Sequence, residues 1–403
     1  MAAGNVVRRS IIIQSVRNSY AFPAVLTVMP NRLVIIAALL VAVTGEASAD
    51  PAELGEALFF DTNLSLNRTQ SCATCHSPAT AFTDSRDNGV GGAASLGDDG
   101  TSLGDRNAPT ITYAALAPGF GRDDTGVYAG GLFYDGRAAG LADQAGQPFT
   151  NPLEMNLPDD AAVVARGREN PQHVAAMTAL FGADIFEKPD AAFRAVTESL
   201  AAFERTTQFA PFDSKYDRFL RGEAELTAEE EIGRKLFFSQ VFNCHSCHVV
   251  DTRENVRNEA FTTHRYHNIG VPVNATVRER NGLGLSHRDP GLLDHPGVDD
   301  PAAAGKFKVP TLRNVAVTGP YMHNGVFEDL ETVVLFYNRF ILTNAESQTN
   351  PETGRPWGDT EYPDTVDHEL LGEGQPISSL QVGPLVAFLK TLTDRRYEHL
   401  LTD

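Results

Sequence analysis

The chain has 403 residues, 42% of them hydrophobic, which is enough for two domains of ordinary size with apolar cores. Its formal net charge of -19 excludes nucleic acid as a partner, because phosphates repel such a surface. The same charge suits electrostatic steering of a basic protein partner.

The N-terminal region contains an apolar run, residues 33–43, followed by Ala47-Ser48-Ala49. This order is typical of a secretory signal peptide with a small-residue cleavage site. A retained membrane anchor is the alternative, but the run is short for a membrane span. Met29 lies where the initiator of such a peptide belongs, so residues 1–28 are interpreted as an upstream extension. We predict an extension and signal peptide over residues 1–49, export to the periplasm, and no stable membrane span after cleavage.

Two Cys-x-x-Cys-His pentapeptides, at residues 72–76 and 244–248, contain every cysteine of the chain. This pattern attaches c-type haem: both thiols bond to the haem, and the histidine becomes the proximal iron ligand. A zinc site or a redox dithiol is a weaker interpretation, because neither requires this histidine after both cysteine pairs. We predict two covalent c-type haems. The attachment residues are Cys72, Cys75, His76, Cys244, Cys247 and His248.

A Gly-x-x-Leu-Phe-Phe pattern precedes each haem motif, at residues 55–60 and 233–238. Each copy predicts a short helix whose Leu and Phe side chains pack on a haem. The copies are far too distant for a solenoid repeat and favour tandem domains. We predict a mainly α fold of two class I cytochrome c-like domains with long loops. The expected domains are residues 50–211 and 223–403, with one haem each.

Between the two haem motifs the sequence predicts long loops and one long helix. Residues 84–107 are rich in Gly, Asp and Ser, and residues 118–160 show little periodicity, so both are expected to be loops. Residues 190–205 predict an amphipathic helix, and residues 212–222 are the expected linker. The apolar face of this helix comprises Phe193, Val196, Leu200 and Phe203.

The second half begins with a predicted helix N-terminus at Thr227-Ala228-Glu229-Glu230, where acidic residues occupy the first turn. Residues 251–307 are expected to be mostly loop. Helices are expected over residues 328–341 and 377–393. No convincing alternation of strands is present in the sequence.

The sixth ligand of the first iron decides whether that haem carries electrons or reacts with a small molecule. After His76 no histidine occurs until His173, so the loop expected above the first haem offers none. A water-ligated or five-coordinate first haem is the simplest interpretation. Met155 and the distant His173 are the alternatives.

For the second haem Met322 is the best candidate ligand, because a His/Met pair raises the reduction potential and suits electron transfer. Tyr321 and His323 are immediate rivals. Core packing is the competing interpretation of Met322.

Five further motifs accompany the haem sites in a fixed order, and with them the chain resembles the bacterial di-haem cytochrome c peroxidases and their MauG-like relatives. The resemblance covers residues 54–392. The motifs are Arg106-Asn107-Ala108-Pro109-Thr110, Phe133-Tyr134-Asp135-Gly136-Arg137, Asn151-Pro152-Leu153-Glu154-Met155, Val309-Pro310-Thr311-Leu312-Arg313-Asn314 and Pro320-Tyr321-Met322-His323-Asn324-Gly325.

The resemblance implies roles for particular residues. The N-terminal haem corresponds to the peroxidatic one, and the C-terminal haem, with Met322 as ligand, relays electrons. Glu154 matches the distal catalytic glutamate, and Gln144 matches a distal glutamine beside it. A structural calcium ion between the haems is also implied. Its ligands correspond to the Asn107 side chain and, less firmly, to carbonyl groups near Lys308 and Pro310.

Two positions depart from the family pattern. Asp98 stands about where typical peroxidases carry a histidine that caps the first iron until the other haem is reduced, and MauG-like proteins also lack that cap. Tyr134 stands between the haems where the family usually has tryptophan. The one tryptophan, Trp357, lies elsewhere in the sequence.

The resemblance implies a peroxidase that reduces hydrogen peroxide to water. The expected signal peptide predicts a periplasmic location, and the missing histidine predicts a first haem that is open without reductive activation. Electrons come from a small redox protein, a cytochrome c or a cupredoxin. Glu154 serves as general base and then acid, Gln144 orients the peroxide, and Tyr134 connects the haems.

The main alternative is a MauG-like enzyme that uses peroxide to oxidise residues of a partner protein. The missing distal histidine favours this alternative, whereas His/Met ligation through Met322 favours the peroxidase; Tyr321 leaves tyrosine ligation open. A non-catalytic di-haem electron carrier is disfavoured, because it requires two six-coordinate irons. The resemblance also allows a homodimer.

Overall fold

The computed structural model describes residues 50–249 and 256–402. The expected extension and signal peptide lie outside the described residues. Within the described ranges no helix is both long and apolar enough to cross a membrane. Most of the regular structure is α-helical, as predicted. The helices are α1 (Pro51–Phe59), α2 (Cys72–Cys75), α3 (Leu141–Thr150), α4 (Asp160–Gly167), α5 (Pro171–Phe181), α6 (Pro189–Glu204), α7 (Lys215–Leu220), α8 (Ala228–Phe237), α9 (His245–His248), α10 (Ala275–Arg280), α11 (Leu330–Phe336), α12 (His368–Gly372) and α13 (Ser379–Lys390).

The strands in the described part of the chain form short antiparallel ladders of two residues per strand, and isolated β-bridges occur elsewhere. In the ladder nearest the site, Tyr266 pairs with Lys308 and His267 pairs with Phe307. The strands are β1 (Gly121–Arg122) with β2 (Tyr128–Ala129), β3 (Tyr266–His267) with β4 (Phe307–Lys308), and β5 (Thr349–Asn350) with β6 (Arg355–Pro356).

The first core forms where α1 crosses α6 at very close range. A Cβ atom on Gly55 of α1 would lie 1.9 Å from the Ser199 carbonyl oxygen of α6, so only glycine allows this approach. Phe59 of α1 meets Phe203 of α6 edge to face, with ring centroids 5.4 Å apart. The buried residues of this first core come from residues 54–209.

The second core repeats this geometry with α8 and α13. A Cβ atom on Gly233 would lie 1.8 Å from the Pro384 carbonyl oxygen, and Phe237 packs against Phe388 at 5.2 Å. The buried residues of this core come from residues 216–392. Each Gly-x-x-Leu-Phe-Phe pattern is therefore the end of a helix that crosses a second, later helix. The division of the chain at residues 212–222 stays a prediction.

Several predicted elements are present with nearly the expected bounds. The helices expected over 190–205 and 377–393 are α6 and α13, and residues 84–107 contain neither helix nor strand. The helix start predicted at Thr227 is confirmed by a capping box, in which Thr227 and Glu230 exchange side-chain to backbone hydrogen bonds. The helix expected over 328–341 is α11, continued by a 3-10 helix.

Two expectations were wrong in detail. Residues 118–160 contain α3, whose buried Leu141, Ala145 and Phe149 recur every four residues. Gly140 and Pro148 obscure this periodicity in the sequence. The expected linker over 212–222 contains α7, which begins at a capping box and buries Tyr216 in the second core.

Candidate active site

Each Cys-x-x-Cys-His motif lines one of two large cavities. The first cavity has a volume of about 780 Å³ and contains all three attachment residues of the motif at 72–76 in its wall. The second cavity has a volume of about 290 Å³ and is lined by the corresponding residues of the motif at 244–248. In both motifs a one-turn helix, α2 or α9, includes the second cysteine, and no disulfide joins any of the four cysteines.

The histidine of each motif is oriented by a backbone carbonyl group. The Nδ1 atom of His76 lies 3.0 Å from the Phe82 carbonyl oxygen, and that of His248 lies 3.3 Å from the Phe261 carbonyl oxygen. Both phenylalanines have positive φ angles, 57° and 54°. A histidine that donates from Nδ1 keeps the Nε2 lone pair for a metal. Burial lowers the pKa of His76, and that of His248 to about 4, which keeps both rings neutral.

The buried thiols do not have the properties of a redox pair. Burial raises the pKa of Cys72 and Cys244 to about 12 and that of Cys75 to about 11, so the thiols are un-ionised at neutral pH. Reactive dithiols instead have lowered pKa values. Neutral thiols beside an oriented histidine and a large cavity fit a haem in each cavity.

The polar residues Gln144 and Glu154 line the first cavity. Helix α3 carries Gln144, and Glu154 follows in a turn closed by the hydrogen bond from its N–H to the Asn151 carbonyl oxygen at 3.0 Å. Burial raises the pKa of Glu154, although the Arg137 charge and a hydrogen bond with Asn151 act in the opposite direction. The first cavity thus brings the oriented His76 ring and the carboxyl group of Glu154 into one lining.

Arg137 is a further site residue to which the sequence analysis assigned no role. Its guanidinium lines the first cavity, 2.7 Å from the Asp135 carboxylate and 3.1 Å from the Gln147 side-chain oxygen. It also stacks on the Phe133 ring at 3.6 Å. The signal available in the sequence was an aspartate two residues before an arginine across a glycine turn.

A shared wall separates the two cavities. Tyr134 lies in it and lines both, together with Asn107, Lys308 and Pro310. The Lys308 N–H donates to the Tyr134 carbonyl oxygen at 2.8 Å, which connects the two halves of the chain at this point. Burial raises the pKa of the Tyr134 phenol, so the group is neutral in the resting protein.

Comparison with known proteins agrees with this geometry. The profile of the family described as "Di-haem cytochrome c peroxidase" matches residues 49–225. The chain is 53% identical to the "Methylamine utilization protein MauG" of Paracoccus denitrificans (strain Pd 1222), over 91% of this chain and 96% of that protein. The chain belongs to the di-haem cytochrome c peroxidase family.

Two further similar proteins are named as peroxidases. The chain is 30% identical to the "Cytochrome c551 peroxidase" of Nitrosomonas europaea, over 87% of this chain and 82% of that protein. The crystal structure of the diheme peroxidase BthA from Burkholderia thailandensis E264 superposes with a TM-score of 0.75 at 33% identity. The superposition covers 87% of this chain and 88% of the BthA chain. As a member of this family, the protein is a di-haem oxidoreductase that acts on peroxide.

In this di-haem peroxidase the second cavity contains all three residues considered as the sixth ligand of the second iron. Met322, Tyr321 and His323 all line it. Burial raises the pKa of Tyr321 to about 12 and lowers that of His323 to about 3. The His323 ring stacks on Phe307 at 3.6 Å, which holds it against one wall. Ligation by Met322 stays a prediction.

Two residues considered near the first iron lie outside the first cavity. His173 is buried on α5 with its Nε2 atom 3.2 Å from the Asn170 side chain, and it is not among the described residues of the lining. Asp98 is also outside the described lining of the first cavity. Its carboxylate instead accepts a hydrogen bond from the Ser65 hydroxyl group. Met155 does line the cavity, although it packs in the first core.

The calcium expectation concerns the shared wall. The Asn107 amide nitrogen lies 3.3 Å from the Gly92 carbonyl oxygen, and the Lys308 ammonium donates to the Gly131 carbonyl oxygen at 2.5 Å. Burial lowers the pKa of Lys308 to about 8. No cluster of three His, Cys, Asp or Glu side chains suited to a metal occurs among the described residues. Asn107, Lys308 and Pro310, the residues expected to supply neutral oxygen ligands, all line the shared wall. The calcium ion itself stays a prediction.

Proposed function

We propose that this di-haem peroxidase reduces hydrogen peroxide in the first cavity, with electrons that reach it from a partner protein by way of the second cavity. The observation that carries the proposal is the convergence of Glu154, Gln144 and Arg137 on the cavity that His76 lines. A single proximal histidine with acid–base groups in the same cavity suits activation of a small molecule.

Cys72, Cys75 and His76 would hold a haem in the first cavity, which would supply the redox chemistry for peroxide reduction. Glu154 moves a proton from the inner to the outer peroxide oxygen, as base and then acid. The raised pKa of Glu154 makes its carboxylate a stronger base for this exchange than that of an ordinary glutamate. Gln144 orients the peroxide through its amide. Arg137, held by Asp135, keeps positive charge beside the Glu154 carboxylate.

The electron route crosses the shared wall at Tyr134. This residue is the aromatic side chain that lines both cavities, and its ring contacts the His323 ring edge to face at 6.5 Å. Oxidation of a tyrosine requires loss of its phenolic proton, which the raised pKa of Tyr134 opposes in the resting state. Electron transfer through this wall is therefore expected to be coupled to proton movement.

The organisation that accompanies this function is two cytochrome c-like domains, residues 50–211 and 223–403, each with one covalent haem. Met322 completes the second iron, and a calcium ion bound by Asn107 and by carbonyls near Lys308 and Pro310 reinforces the wall. We further propose a periplasmic location after signal cleavage, with a homodimer as a possible assembly. The net charge of -19 suits a small basic redox protein, a cytochrome c or a cupredoxin, as electron donor.

A second candidate function is oxidation of residues in a partner protein by a MauG-like enzyme. The observation that favours it is the 53% identity to MauG over nearly the whole of both chains, compared with 30% to the c551 peroxidase. The two functions share the peroxide chemistry and differ in what supplies the electrons. Steady peroxide consumption with a reduced small cytochrome favours the peroxidase. A single burst of peroxide consumption in the absence of the reduced cytochrome, followed by oxidation only of a protein substrate, favours the alternative.

The test of the first-cavity assignment is Glu154→Gln, with Glu198→Gln on the exposed face of α6 as control. We expect peroxide turnover to fall by about 10²–10⁴-fold in Glu154→Gln and to be unchanged in the control. Haem content and the spectrum of the second haem should match the wild type in both variants. Near-normal turnover in Glu154→Gln contradicts the proposal.

A further inference from the structure

Loop 95–104 packs between two other segments, residues 65–70 and 151–156, beside the first cavity. The Asp98 N–H donates to the Glu154 carbonyl oxygen at 2.7 Å, which ties the loop to the segment that carries the catalytic carboxyl group. On the other side, the Gln70 side chain donates to the Leu96 carbonyl oxygen at 2.6 Å. The loop thus links the main chain at Glu154 to a segment of the first core.

The carboxylate of Asp98 is the centre of this packing. It is only 4% exposed, yet no cation pairs with it among the described residues. Its oxygens accept hydrogen bonds from the Ser65 hydroxyl at 2.7 Å, the Thr69 hydroxyl at 2.6 Å and the backbone N–H groups of Asn67 and Thr69. Burial opposes ionisation of Asp98, but these donors outweigh it and hold its pKa below the ordinary value.

The contact with the Glu154 segment is made at backbone level. A Cβ atom on Gly97 would lie 2.9 Å from the Leu153 carbonyl oxygen, so the loop approaches this segment more closely than a side chain allows. From below, the Leu66 N–H donates to the Met155 carbonyl oxygen at 2.9 Å. Residues 153–155 are therefore held by the loop at one end and by the 65–70 segment at the other.

We propose that Asp98 is a positioning residue: its carboxylate clamps loop 95–104 to residues 65–70 and thereby fixes the backbone at Glu154 over the first cavity. This inference deepens the proposed function and rests on it. A misplacement of about 1 Å in a catalytic group can cost a hundredfold in rate, so fixing this backbone matters for proton transfer.

The experiment compares Asp98→Asn with Asp99→Asn in the holoprotein. Asp99 is the matched control, because it is in the same loop and accepts hydrogen bonds from Thr101 and Ser102, but it is exposed and does not touch the Glu154 segment. Two rates are measured: the reaction of the ferric protein with peroxide, which needs Glu154, and carbon monoxide binding to the reduced protein, which needs no proton transfer.

We expect Asp98→Asn to slow the peroxide reaction by about tenfold to a hundredfold and to leave carbon monoxide binding within about twofold of the wild type. Asp99→Asn should change neither rate. A variant that unfolds at lower temperature but reacts with peroxide at the wild-type rate has lost only a structural contact, and this result overturns the proposal.

A second variant covers the case in which Asp98→Asn does not accumulate as holoprotein. Gly97→Ala pushes on the Leu153 carbonyl without touching the carboxylate, and the same selective loss of the peroxide rate is expected. An unchanged peroxide rate in Gly97→Ala counts against the clamp. The failure of the clamp is distinct from that of the proposed function, because Glu154→Gln then still abolishes turnover.

Discussion

At the scale of single residues, two of the carboxyl groups that line the first cavity, those of Glu154 and Glu204, have pKa values raised by burial. Glu154 faces the proposed peroxide site and has the Arg137 charge nearby. Glu204, at the end of α6, is 6% exposed, and its Oε2 atom has no hydrogen-bond partner among the described residues. Glu204 follows Phe203 in the first core, and the matching position in the second core, after Phe388, is Leu389. The buried acid therefore has no counterpart in the second core.

The raised pKa of Glu154 predicts the acid limb of the pH–rate profile. The base form exists only above the pKa, so the peroxide rate should fall as the pH decreases through a value above that of an ordinary glutamate. Arg137→Gln removes a charge that favours the carboxylate, so the limb should move to higher pH. Stopped-flow rates across pH 4–8 measure the shift. Arg168→Gln, at an exposed position, is the control. If the acid limb of Arg137→Gln lies at the wild-type pH, the charge of Arg137 does not act directly on Glu154.

Glu204 predicts a loss of stability at alkaline pH. Burial raises its pKa to about 8, so the stability that depends on its protonated form is complete below the ordinary pKa and is lost as the pH rises through about 8. The unfolding temperature of the wild type should therefore fall from pH 6 to pH 9 more steeply than that of Glu204→Gln. Glu198→Gln on the same helix should follow the wild type. Parallel curves for all three proteins exclude Glu204 as the cause.

At the scale of elements, the helix crossings at Gly55 and Gly233 leave no room for a side chain. Gly55→Ala and Gly233→Ala should each lower the free energy of unfolding by about 3 kcal/mol or more, because the clash is with a backbone carbonyl that cannot move independently. Denaturant titration of the holoprotein measures this change. Gly167→Ala, a helical position with open space around it, should be neutral or stabilising by about 0.5–1 kcal/mol. Comparable losses in all three variants contradict this account of the crossings.

The same elements show how much of the structure the sequence could predict. Helix α6 was predictable from its apolar periodicity and helix α8 from its capping box, because both signals involve residues close together in the sequence. Helix α3 was not, because Gly140, Gly146 and Pro148 interrupt its pattern, and only tertiary packing of its apolar face stabilises it. Gln144 on this helix was identified by family resemblance alone. The role of Arg137 depends on a turn that brings it back to Asp135, and local periodicity does not encode such turns.

At the scale of the whole molecule, buried polar contacts connect the two halves. Arg106 joins Asp135 in the first half to Asp289 in the second, with 2.6 Å contacts to both carboxylates. The Tyr113 hydroxyl donates to Asp394 at 2.5 Å. The sequence predicted two haem sites from two motifs, whereas only the family resemblance placed Tyr134, Asn107 and Pro310 between the haems, and local patterns in the sequence do not encode this shared wall. That wall is built from residues such as Asn107 and Pro310, which are remote in sequence and meet only in the folded chain.

Arg106→Met tests this connection. The change leaves Asp289 buried without its guanidinium partner, which should cost about 3–5 kcal/mol of unfolding free energy. Calorimetry of the holoprotein measures it. Lys188→Met, which removes an exposed pair with Asp184, should leave the unfolding temperature unchanged. An Arg106→Met protein as stable as the wild type shows that the halves are held together by other contacts.

The first cavity is proposed to hold an open, peroxide-reactive haem that needs no prior reduction. The most direct test is the electron paramagnetic resonance spectrum of the as-isolated ferric protein, before and after addition of peroxide. We predict one high-spin and one low-spin signal, with loss of the high-spin signal on addition of peroxide. Two low-spin signals that are indifferent to peroxide contradict the claim, because they require a sixth ligand on the first iron.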